Sequence, residues 1–82
     1  MIVAHHYDHV VGVDTHARTH TYAVVATKTG EILGTKAFPV TTAAIDRAIA
    51  WARDLAGGLV LFAIEGTGSY GASLGRALKR AE

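Results

Sequence analysis

The chain opens its ordered pattern at Val10-Val11-Gly12-Val13-Asp14, apolar at every step and closed by one carboxylate. An unbroken apolar run of that length predicts a short central strand covered on both faces. After the polar link Thr15-His16-Ala17-Arg18, residues 19–27 are rich in Thr, Tyr and Val, with Tyr22, Val24 and Ala26 alternating against Ala23 and Val25. This period of two predicts a second strand. Lys28-Thr29-Gly30-Glu31 forms a tight turn in which Gly30 supplies the positive φ, and residues 32–38 follow as a hairpin partner. Lys36 and Pro39 suit a sheet edge.

The period then lengthens. Ile45, Ala48, Ile49, Ala52 and Leu55 recur at helical spacing, Thr41 or Thr42 stands where a cap is needed, and Gly57-Gly58 ends the run. Residues 59–64, Leu-Val-Leu-Phe-Ala-Ile, form a second continuous apolar run bounded by glycines and by Glu65-Gly66. Entered from a helix, this strand is expected to lie parallel to the first through a right-handed crossover. A second helix is predicted from about residue 69, with Tyr70, Leu74, Ala77 and Leu78 on one stripe.

The pattern therefore predicts an α/β fold with a mixed sheet, element order β-β-β-α-β-α and strand order 3-2-1-4. Residues 1–8 are expected to be a flexible tail and residues 9–82 the folded part. The strand at 59–64 has the composition of a sheet interior yet sits on an open edge in this order, and the last helix reaches Lys79-Arg80-Ala81-Glu82 without a capping glycine. The fold is expected to be incomplete.

Composition narrows the class. Of 82 residues half are apolar and 18% charged, which is too apolar for a disordered chain, while no apolar run approaches the ~20 residues of a membrane span. Without cysteine there is no disulfide framework and no thiolate zinc site. The first residues lack the basic start and long apolar stretch of an export signal, so the protein is expected to be cytoplasmic. A net charge of +1, with clustered basic residues only at Arg76, Lys79 and Arg80, does not by itself point to nucleic acid.

Asp14 and Glu65 carry the sharpest chemistry. Each stands where an apolar strand gives way to a loop, and parallel neighbours lie ~4.8 Å apart, so two like charges would converge at one end of the sheet. Such a pair raises a proton affinity or recruits a cation, and oxygen ligands suit Mg²⁺ or Mn²⁺ acting on a phosphodiester. Read plainly, each acid is a solvated strand end or a helix cap.

Gly66-Thr67-Gly68-Ser69-Tyr70-Gly71 is a literal G-x-G-x-x-G after a strand. A dinucleotide site would also need a later strand bearing an acid, which the chain does not reach. The glycines more simply let the backbone turn sharply, and their N–H groups can still hold a phosphate of DNA or RNA. His5, His6 and His9 around Tyr7 and Asp8 read as a polar tail rather than a metal site. His16 and His20 are spaced i, i+4, but in loop and strand that spacing does not join them. His16 alone, two residues after Asp14, reads as a surface histidine, a group behind Asp14 or a phosphate contact. Tyr22 and Trp51 are expected in the packing, and Ser69 and Ser73 have no evident partner.

Val11-Gly12-Val13-Asp14-Thr15-His16, the hairpin ending Phe38-Pro39, the helix with Trp51-Ala52, and Ile64-Glu65-Gly66-Thr67-Gly68-Ser69-Tyr70-Gly71 together resemble the start of DEDD-type insertion-sequence transposases, the bridge-RNA-guided recombinases. The resemblance covers about residues 10 to 80. It implies the N-terminal portion of a RuvC-like catalytic domain with an RNase H fold, in which four acids hold two divalent ions. Asp14 matches the first acid and Glu65 the second, making both catalytic and metal-binding residues by resemblance. His16 and Gly66, Thr67, Gly68 and Ser69 match motif positions read here as nucleic-acid contacts.

The third and fourth acids, and a C-terminal domain with a serine nucleophile, belong to later segments that this chain does not contain. Ala17 followed by Arg18 stands where relatives often carry a lysine. The resemblance implies Mg²⁺ or Mn²⁺ in the whole enzyme, DNA at element ends and targets, and an element-encoded RNA; the apolar runs imply no membrane, and the sequence does not fix the oligomeric state, a homo-oligomer being one option. This piece alone is expected to be inactive. Two other readings remain: part of an actin-like ATPase or sugar kinase, which Thr29-Gly30-Glu31-Ile32-Leu33 fits but Thr15-His16-Ala17 does not, and a non-catalytic remnant that dimerises through the open strand edge.

Overall fold

The computed structural model of the chain describes residues 7–57 and 60–65. They form strands β1 (His9–Thr15), β2 (Thr19–Ala26) and β3 (Ile32–Pro39), helix α1 (Thr42–Ala56) and strand β4 (Val60–Glu65). The sheet is four-stranded and mixed, in the order β3-β2-β1-β4. β1–β2 and β2–β3 are antiparallel, and β4 runs parallel to β1, as the helical crossover requires. The fold class and strand order expected from the apolar pattern are thus met, while the helix predicted from residue 69 lies outside the described residues.

Local chemistry explains each boundary. Gly30 takes φ 75° between β2 and β3, and its N–H donates to the Ala26 carbonyl at 2.8 Å. On β3, Val24 pairs with Gly34 and Val25 with Ile32, so Leu33 is the extra residue of a bulge. Thr41, extended at φ −129°, accepts the Ala44 N–H at 3.1 Å and caps α1. Gly57 ends the helix in the left-handed region at φ 70°, donating to the Arg53 carbonyl at 2.8 Å.

One face of the sheet makes the core. Val11 and Val13 from β1, Tyr22 and Val24 from β2 and Phe38 from β3 are buried beneath Ala44, Ile45, Ala48, Ile49, Ala52 and Ala56 of α1. Four alanines in that stripe let the helix axis approach the sheet closely, and α1 packs over β2 and β3. Leu55 was expected on the stripe, but Ala56 occupies it and Leu55 is 39% exposed over Gly34.

The expectation that β1 and β4 are covered on both faces is not met among the described residues. β1 alternates, with Val11, Val13 and Thr15 buried against half-buried Val10 and Gly12 and exposed Asp14. On β4, Val60 and Phe62 pack against the core while Ile64 is exposed. The reason is position: α1 covers one face only and lies toward the β3 side, away from β4. Tyr7 and Asp8 are tied to the end of β2, their carbonyls accepting the Thr27 hydroxyl at 2.7 and 3.2 Å.

Candidate functional site

Asp14 follows from strand alternation. Val13 and Thr15 turn into the core, leaving Asp14 on the opposite face near the C-terminal end of β1. Across the parallel ladder its Cα partner is Glu65, the last residue of β4, in the same register that pairs Val13 with Ile64 and Gly12 with Ala63. Across the antiparallel ladder it faces Thr21. The two acidic positions therefore stand side by side at one end of the sheet.

His16 shares the face of Asp14 for the same reason of period two. Its Nε2 lies 3.2 Å from Asp14 Oδ2, with side-chain exposures of 63% and 65%. The intervening turn is closed by the His16 N–H donating to the Thr19 carbonyl at 3.0 Å, and Val40 N–H donates to the Arg18 carbonyl at 3.1 Å. The connection into α1 is thereby stitched to the turn beside Asp14.

His20 goes the other way. It is fully buried and meets Tyr22 edge-on with centroids 6.3 Å apart, so it and His16 lie on opposite faces and share no site. The aromatic series continues from Tyr22 to Phe38 at 5.6 Å and from Phe38 to Trp51 at 5.9 Å, which places Tyr22 and Trp51 in the packing as expected. Burial of His20 was the feature sequence reasoning missed, although its phase with Tyr22 and Val24 carried the signal. Burial also pushes the Tyr22 hydroxyl up to about 12.

His9 opens β1 at the end of the sheet away from Asp14, whereas His5 and His6 lie outside the described residues, as do Gly66, Thr67, Gly68 and Ser69. The open face also carries an apolar hollow of about 450 Å³ lined by Val10, Gly12, Val25, Leu61 and Ala63 among others, with no ionisable group among the described residues of its wall.

The donor set at the sheet end fits a hard divalent cation in kind, since carboxylate oxygens are what such ions take. Among the described residues there is no group of three or more His, Cys, Asp or Glu able to hold a metal. Among the same residues, no helix is long and apolar enough to cross a membrane.

A 3-2-1-4 mixed sheet, with a helix between its third and fourth strands, makes this an α/β domain whose topology is consistent with an incomplete RNase H-like fold. Residues 11–82 match the family model described as Transposase, of the DEDD type of IS110 elements. The chain belongs to that transposase family, whose members act on DNA. No curated protein matches it.

Proposed function

We propose that this chain is the N-terminal portion, residues 9–82, of a RuvC-like catalytic domain, and that Asp14 and Glu65 hold divalent cation for the breaking and joining of DNA strands. The observation that carries the reading is the parallel Asp14–Glu65 register at the end of β1 and β4. When bound, Mg²⁺ or Mn²⁺ supplies activation of a water or hydroxyl and neutralises charge on the phosphodiester.

The chain's own contribution is placement. β1 and β4 fix the two acidic positions at the same level, and the exposure of Asp14 leaves it accessible to a bulky polyanion. Further acids from outside residues 1–82 complete the ligand set in this reading. His16 and the run Gly66, Thr67, Gly68 and Ser69 are proposed as contacts to nucleic acid, from the motif positions they match in the family. An element-encoded RNA, by resemblance to the family, and a cytoplasmic setting, from the lack of export-signal features in the first residues, complete the proposal.

Asp14→Asn and Glu65→Gln, introduced separately into the transposase that carries this segment, are expected to reduce DNA strand exchange by at least ~100-fold while leaving DNA binding in place. Normal exchange by Asp14→Asn overturns the assignment.

A further inference from the structure

Thr15 is buried and the residues on either side of it are exposed. That alternation sends the Asp14 and His16 side chains out on one face, and the ring of His16 bends back to place Nε2 3.2 Å from Asp14 Oδ2. A carboxylate oxygen accepts, so the hydrogen bond at this contact is the one made by the form of His16 that has its N–H at Nε2. The contact engages a single carboxylate oxygen.

We infer that His16 is a positioning residue for Asp14: it holds the carboxylate in one rotamer through Oδ2, so that the other oxygen is presented in a fixed direction. The inference rests on the reading of Asp14 as a cation ligand. A carboxylate as exposed as this one otherwise samples several rotamers, all but one of which must be given up on binding. Partners behind ligating groups orient them in this way and typically change metal affinity 10–100-fold when removed. With both side chains nearly two-thirds exposed, the pair does little for the fold, which leaves orientation as its consequence. The backbone bond from His16 N–H to the Thr19 carbonyl fixes the base from which the ring reaches.

The test titrates the transposase that carries this segment with Mn²⁺ alone, reading free Mn²⁺ by electron paramagnetic resonance, with a thermal melt of each variant alongside. Asp14→Asn is expected to abolish binding. His16→Ala is expected to weaken it about tenfold, and His16→Gln, whose amide N–H reaches about as far as Nε2, to restore most of the loss, with unchanged melting in both. Wild-type affinity in His16→Ala, together with loss in Asp14→Asn, overturns the role of His16 and leaves Asp14 standing. Failure of His16→Gln to recover any of the loss means that a donated hydrogen bond does not account for the effect and overturns the inference. Equal binding by Asp14→Asn and the wild type rejects the reading of Asp14, and the role of His16 with it.

Discussion

Gly34 on β3 lies directly under Leu55 of α1: a Cβ at Gly34 would stand 2.7 Å from Leu55 Cδ2 and 3.4 Å from Trp51 Cζ2. The atom met first is the far end of a side chain that is 39% exposed and free to swing outward. Gly34→Ala is therefore expected to cost about 1 kcal/mol rather than to prevent folding. In a Leu55→Ala background the same change should cost less, and a double-mutant cycle by urea denaturation measures the difference.

Tyr22 is fully buried, and its hydroxyl finds no hydrogen-bond partner among the described residues. Its pKa, pushed up to about 12 by burial against an ordinary 10, means the folded state keeps a proton that the unfolded chain releases. Stability is then intact below pH ~10 and falls as pH rises from there toward 12, by up to about 2–3 kcal/mol. Tyr22→Phe should remove that alkaline decline and leave neutral-pH stability equal or about 1 kcal/mol higher, since it deletes an unsatisfied group. Denaturation midpoints at pH 7 and pH 11 decide it.

The ends of α1 rest on two residues. Thr41→Ala removes the acceptor for the Ala44 N–H and should cost about 1 kcal/mol. Gly57→Ala forces a Cβ into the left-handed region at φ 70° and should cost about 1–2 kcal/mol. Because the two ends are far apart, the costs should add within about 0.5 kcal/mol in the double variant, read from denaturation midpoints.

Stability and function should separate cleanly in β1 and α1. Asp14→Asn, at an exposed position, is expected to change stability by no more than about 0.5 kcal/mol. Ile45→Ala, at a position 1% exposed, should cost about 2–5 kcal/mol. A large loss of stability in Asp14→Asn would mean that the carboxylate supports the fold.

Much of this arrangement is legible from the order of apolar and polar residues. Alternation places Tyr22 and Val24 inward, Gly30 and Gly57 mark the two left-handed positions, and a helix between strands makes β4 parallel to β1. Strand order and the neighbouring ends at Asp14 and Glu65 follow from that chain of steps. Less legible are features decided by three-dimensional neighbours. Ala56 displaces Leu55 from the buried stripe because the helix sits close over β3. The continuous apolar run at residues 59–64 reads as an interior strand, and nothing in its composition says which residues cover it. His20 is buried because its phase on β2 outweighs its polarity. The His16–Asp14 contact depends on a ring rotamer, which spacing alone does not set.

The pairing of β1 with β4 joins the first described strand to the last, with the β2–β3 hairpin and α1 in between. Contacts so distant in the chain carry the largest loop-closure entropy and form late, after the local hairpins and the helix. During synthesis Asp14 leaves the ribosome before Glu65 does. The side-by-side acids are thus among the last features to appear as the nascent chain folds. The second of the two neighbouring acidic positions is in place only once the strand that carries it has been made and has docked.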